Sequence, residues 1–272
     1  MSIGQHTQGL ILANPGVALG LPNCIGLLGI VRWILGYPDQ AQVQAKRLAE
    51  LLRQSLPTNA YSIGMSHLLT MRCDLLRNYQ GARADAQEAL DRSTRSGHSW
   101  GIAYGAIRLA RIMVAEGTAD PWIEKVAGEM RAAESSWFQH FGDWLAAGAH
   151  LDARRVAEGR EIVDRAIARM AAGGARRFEA DLHRLKGEFT LMAREDLDDA
   201  EAAFNSAIAI ARRQQARSFE LRASISLARI LANQGRRGEA HTMLAEIYDW
   251  FTEGFDTADL KDDKALLDEL SA

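Results

Sequence analysis

The feature that most constrains this chain is a recurring pair of helices. Five short polar segments interrupt long apolar-periodic stretches: Gly36-Tyr37-Pro38-Asp39-Gln40, Asn78-Tyr79-Gln80-Gly81, Glu116 to Pro121, Arg194 to Asp199, and Asn233 to Gly238. Each carries Gly, Pro, Asp or Asn, residues that end one helix and cap the next. A stripe of small or apolar residues follows, anchored at Ala41, Ala82, Ile123, Gly159, Ala200 and Ala240, at separations of 41, 41, 36, 41 and 40 residues. The stripes continue four and seven positions on, as in Ala82-Ala86-Ala89, Ala200-Phe204-Ala207 and Ala240-Leu244-Ile247. That spacing puts three side chains on one helix face. A chain that repeats one supersecondary unit at such a period stacks the units into an array.

Composition supports helix over strand. Of 272 residues only 5 are Pro and 47% are hydrophobic, so a core can form. Runs of β-branched and aromatic residues are absent. The expected fold is all-α: a right-handed α-α superhelix of about six helix pairs plus a C-terminal capping helix. One repeat domain spans residues 1–272, with units near 8–57, 58–97, 98–136, 137–175, 176–217 and 218–254 and the cap at 255–272. The third and fourth units match the pattern least well.

Charge is nearly balanced, 32 Lys and Arg against 35 Asp and Glu. Nucleic-acid binding, which needs concentrated positive charge, is therefore not expected. Cys24 and Cys73 fit a reducing cytoplasm and have no zinc-site partners. The segment from Leu10 to Tyr37 is apolar, but Asn14, Pro15, Pro22, Asn23 and Arg32 interrupt it. It reads as a buried first helix pair rather than a membrane span or signal peptide.

Candidate sites are few. Trp137, Phe141 and Trp144 share one helix face and either line a groove for a peptide or pack one repeat on the next. Asp196, Asp198 and Asp199 fail as a calcium loop, because the sixth and twelfth positions are Glu201 and Ala207. They suit the start of a helix. Arginines at 154, 155, 160, 176, 177, 212, 213, 236 and 237 fall mostly at helix ends or solvent faces. Ser96-Gly97-His98-Ser99-Trp100 places Ser beside His but reads as a turn. His140 and His150, ten residues apart, lie on opposite sides of one helix. No catalytic residue, metal site or cofactor site is expected.

The segment Ala228 to Ile247, with Leu231, Ala240 and Leu244, resembles a tetratricopeptide repeat, whose usual period is ~34 residues. Two segments are more specific: Asn14-Pro15-Gly16-Val17 with Trp33 to Ala41, and Leu244 to Leu270. Both resemble the C-terminal region of bacterial signalling proteins that join a class III adenylate or guanylate cyclase domain, an ATPase domain and a tetratricopeptide array. The resemblance implies a cytoplasmic, non-catalytic module of signal transduction. Its concave groove would take a protein or peptide partner, such as a cyclase or ATPase domain. The alternative is a fragment of a repeat-regulated cyclase or ATPase whose catalytic domains lie upstream or in a partner. No Gly-x-x-x-x-Gly-Lys-Ser/Thr loop is present to cradle a phosphate.

Overall fold

The computed structural model describes residues 15–54, 56, 58–79, 82–117, 136–173, 176–194 and 196–271, without the side chains of 15–19, 59, 100 and 136–140. Among them lie twelve α-helices, a π-helical stretch at Thr70–Leu75, and no strand. The helices are α1 (Pro15–Ile34), α2 (Pro38–Leu52), α3 (Thr58–Leu69), α4 (Arg83–Arg95), α5 (Ser99–Ala115), α6 (Ser136–Asp152), α7 (Val156–Ala171), α8 (Glu179–Met192), α9 (Leu197–Gln214), α10 (Arg217–Asn233), α11 (Arg237–Tyr248) and α12 (Ala258–Ser271). No described helix is long and apolar enough to cross a membrane. Contacts divide the chain into two compact units, Met1–Trp33 with Pro38–Ile112, and Ile34–Tyr37 with Met113–Ala272. The Ile123 stripe lies outside the described residues.

In the second unit each helix from α6 to α12 packs on the next, and α6, α8, α10 and α12 also meet in succession. Helices α7, α9 and α11 thus each pack against two successive members of that row. The stripe anchors Gly159, Ala200 and Ala240 are all buried. Their smallness has a specific use. A Cβ on Gly159 of α7 would stand 2.1 Å from Phe189 Cζ of α8, and one on Gly187 of α8 would stand 2.6 Å from Phe204 Cε1 of α9. Each missing side chain is the space that the next helix's phenyl ring fills. Phe204, Leu231, Leu244, Ile247, Phe251, Leu260 and Leu267 belong to one buried cluster that continues into α12.

The turn between α10 and α11 follows the sequence reading. Gly235 takes φ 81°, and the Arg236 N–H reaches the Leu231 carbonyl at 2.8 Å. The α6–α7 turn uses the same bond, from Arg155 N–H to the His150 carbonyl at 2.9 Å, but with Arg154 at φ 57°. This is the αL helix-end motif that normally selects glycine. Arg194, ahead of α9, takes the same conformation at φ 56°, but there Asp196, Asp198 and Asp199 mark the turn in the sequence, whereas no Gly, Pro or Asn stands beside Arg154.

Asp196 caps α9, its carboxylate accepting the Asp198 N–H at 2.9 Å. At the C-terminus, α11 ends at Tyr248, and Gly254, at φ 81°, turns the chain before α12 begins. Phe251 fills the corner there, and Trp250 lies beside it with ring centroids 5.3 Å apart. Phe255, by contrast, is 47% exposed. It follows the turn at Gly254 and rests against Tyr248 at 5.7 Å.

In the first unit, small residues again mark close approaches. A Cβ on Gly29 of α1 would meet Met71 Sδ at 2.2 Å, and one on Gly105 of α5 would meet the Leu90 backbone of α4 at 3.1 Å.

Candidate functional site

The row α6–α8–α10–α12 carries the densest set of chemically competent side chains in the second unit. It begins with aromatics. Trp144 of α6 stacks on Phe178, which precedes α8, at 4.2 Å and 8°. Phe141 lies 5.7 Å from Phe178, and Phe178 meets Phe219 of α10 edge-on at 6.2 Å. Trp144, Phe178 and Phe219 are buried and Phe141 is half-buried. The side chain of Trp137 lies outside the described residues. Of the expected stripe, then, Phe141 and Trp144 pack one helix pair on the next.

A polar ladder continues from Trp144. Its indole N–H donates to Asp181 of α8 at 2.7 Å, and Arg184 donates to the other oxygen of the same carboxylate at 2.5 Å. Arg184 also lies 3.6 Å from Glu188, which accepts the Ser226 hydroxyl of α10 at 2.6 Å. Arg222 of α10 donates to Asp259 of α12 at 2.8 Å. Three of these links join residues 37, 38 and 37 positions apart: Trp144 to Asp181, Glu188 to Ser226, and Arg222 to Asp259. A nearly constant offset thus sets the register, and each helix of the row presents its polar edge to the next.

Burial shapes the electrostatics. Taking Asp181 out of water would push its carboxyl up, but Arg184, then Arg222 and the Trp144 N–H, outweigh that and hold it below the ordinary value. Burial would lower Arg184, but Asp181 and Glu188 keep it raised. The pairing of Asp181 and Arg184 is charge-assisted and locked on both sides. The outer members stay partly open, with side-chain exposures of 14% for Arg184, 26% for Glu188, 11% for Arg222 and 10% for Asp259. Arg229, one helical turn past Ser226 on the same edge of α10, is exposed.

A related cluster stands in the first unit. Arg108 of α5, wholly buried, donates to the Thr70 hydroxyl at 2.5 Å and lies 3.5 Å from Asp74. Arg111 also pairs with Asp74. Thr70 and Asp74 sit in the π-helical stretch. Here too two of the links, Thr70 to Arg108 and Asp74 to Arg111, join residues 38 and 37 positions apart.

The remaining candidates disperse. Cys24 is exposed and Cys73 buried, both free, and burial pushes the Cys73 thiol up to about 12. A thiol so shifted is a poor nucleophile. His150 is buried in α6, and the His140 side chain lies outside the described residues. Ser96 and Gly97 form the turn between α4 and α5, with the Ser96 hydroxyl on the Arg92 and Ser93 carbonyls. Arg155 and Arg236 pair with Glu158 and Glu239 three residues on. Arg212 and Arg217 both grip buried Glu220. Among the described residues no three His, Cys, Asp or Glu side chains gather as metal ligands would.

Neither protein-family models nor curated proteins gave a match to the chain.

Sequence reasoning missed the ladder. Asp181, Arg184 and Glu188 look like an ordinary solvent-facing i, i+3, i+7 pattern. The available signal was the recurring offset of 37–38 residues between side chains able to pair, a little under the usual separation of the stripe anchors.

Proposed function

We propose that the chain is a non-catalytic interaction or sensing module. In this reading it is a tetratricopeptide-like, right-handed array whose row of alternate helices forms a concave binding face. Following the resemblance in residues 14–41 and 244–270, it serves a bacterial signalling system as the regulatory part of a cyclase- or ATPase-containing regulator. The partner is a protein segment or a catalytic domain of that regulator.

The observation that carries the proposal is the ladder from Trp144 to Asp259. A rigid, internally satisfied row of charges, each left 10–26% open at its outer members, offers hydrogen-bonding edges in fixed geometry. Such pre-organised edges confer specificity at low entropic cost.

The test is a calorimetric titration of the purified chain with the cyclase or ATPase domain encoded upstream of Met1 or in an adjacent gene. Saturable binding that Arg229→Glu weakens about tenfold, ~1.4 kcal/mol, supports the ladder edge as the contact. Arg213→Glu, on the exposed face of α9, serves as control. Equal affinity in all three proteins removes that face from the account, and absence of binding removes the partner.

A further inference from the structure

The last helix holds one group that the rest of the fold does not satisfy. α12 lays Leu260, Leu266, Leu267 and Leu270 into the apolar cluster shared with α10 and α11. Between them sits Asp263, 0% exposed, with no hydrogen-bond partner among the described residues on either carboxylate oxygen. One turn earlier, Asp259 is held by Arg222. By the same register Ser226 is the α10 residue one turn further on, but its hydroxyl is committed to Glu188 at 2.6 Å.

The surrounding charges are engaged elsewhere or point away. On α10, Arg217 pairs with Glu220, Arg222 pairs with Asp259, and Arg229 is exposed. On α11, Arg237 donates to the Glu269 carbonyl at 2.5 Å and Glu239 pairs with Arg236, while His241 and Glu246 are not bonded to Asp263. On α12 itself, Lys264 pairs with Asp268. Burial, with no compensating charge, pushes the Asp263 carboxyl up to about 7. An ionised carboxylate in this place is an unpaired buried charge, which a docked helix tolerates poorly.

We propose that α12 is a proton-sensitive lid: with Asp263 neutral it stays docked on α10 and α11, and with Asp263 ionised it lifts and uncovers the apolar face of the last helix pair. The sign follows from linkage. A carboxyl that binds its proton more tightly when docked than when free favours docking fully below the ordinary value of 3.8. That contribution is lost as pH rises to about 7 and is constant above it.

Hydrogen exchange of the full chain from about pH 4, above the range in which Asp181 of α8 titrates, to mildly alkaline tests this, with intrinsic rates divided out and α8 and α9 as internal references. For one linked proton, the opening of α12 should rise about tenfold per pH unit until near neutrality, then level off, while α8 and α9 stay flat. Asp263→Asn should abolish the slope. Asp263→Leu, which removes the buried polar group altogether, should abolish it and also protect α12 at high pH. Circular dichroism reports whether either variant folds, and if neither does, the wild-type slope decides. An α12 profile parallel to α8 and α9 in the wild type overturns the proposal, as does a slope that persists in a folded Asp263→Asn or Asp263→Leu chain.

Discussion

Trp144 and Asp181, 37 residues apart, are joined by a buried indole-to-carboxylate hydrogen bond of 2.7 Å. The pair ties α6 to α8 through an acceptor that also serves Arg184. Trp144→Phe keeps a ring against Phe178 but withdraws the donor and some volume. Urea unfolding should show a loss of ~1–3 kcal/mol. A change below the error of the fit would mean the bond contributes nothing to holding α6 on α8.

Gly159 should tolerate no side chain. Its Cβ position lies 2.1 Å from Phe189 Cζ, closer than any real contact, so the ring or the helix must shift. Gly159→Ala should lower stability by ~1–3 kcal/mol, despite the better helix propensity of alanine. The double variant Gly159→Ala with Phe189→Leu should recover part of that loss, a coupling that a double-mutant cycle reads directly.

Much of the fold was legible because packing at the helix seams imposes a period. Ala200, Phe204 and Ala207, and Ala240, Leu244 and Ile247, are buried as their spacing predicts, and Leu260, Leu267 and Leu270 line one face of α12. Small residues flag the seams in sequence because only they admit a neighbouring ring. What was not legible depends on partners one repeat away. A carboxylate at 181 or 188 reads as a surface residue until α10 is known to pass beside it. Asp263 shares the helical spacing of Leu260, Leu267 and Leu270, but a charged residue is seldom placed in an apolar seam without a partner. Nor did anything in residues 70–75 announce a π-helical stretch. The α6–α7 turn carries little signal, because Arg154 stands at a left-handed position that glycine usually marks and no Gly, Pro or Asn stands beside it.

Acid should unfold the chain through Asp181. Its carboxyl is held below the ordinary value of 3.8, so its pairing contributes stability above that pH and loses it as pH falls further. Asp263 acts in the opposite sense between about 4 and 7. Thermal melting should therefore improve as pH falls from 8 toward 5 and deteriorate below 4. Asp181→Asn should be less stable at neutral pH and lose part of the acid limb. A melting temperature that is level from pH 8 to pH 3 would contradict both assignments.

Removal of the residues after Gly254 takes away Leu260, Leu266, Leu267 and Leu270, all buried against α10 and α11. Burying each such side chain is worth ~1.5–3 kcal/mol before the entropy of ordering the helix is subtracted. The truncated chain should melt lower and scatter light at concentrations where the full chain does not. Unchanged melting and solution behaviour would show that α12 does not cap the array.

The most direct measurement is nucleotide turnover by the purified full-length chain, with ATP and GTP, in the presence of magnesium or manganese. A non-catalytic module releases phosphate, pyrophosphate and cyclic nucleotide no faster than a heat-denatured sample. Turnover that scales with chain concentration, saturates with nucleotide and persists through a second purification step would contradict the interaction-module reading and make the chain an enzyme.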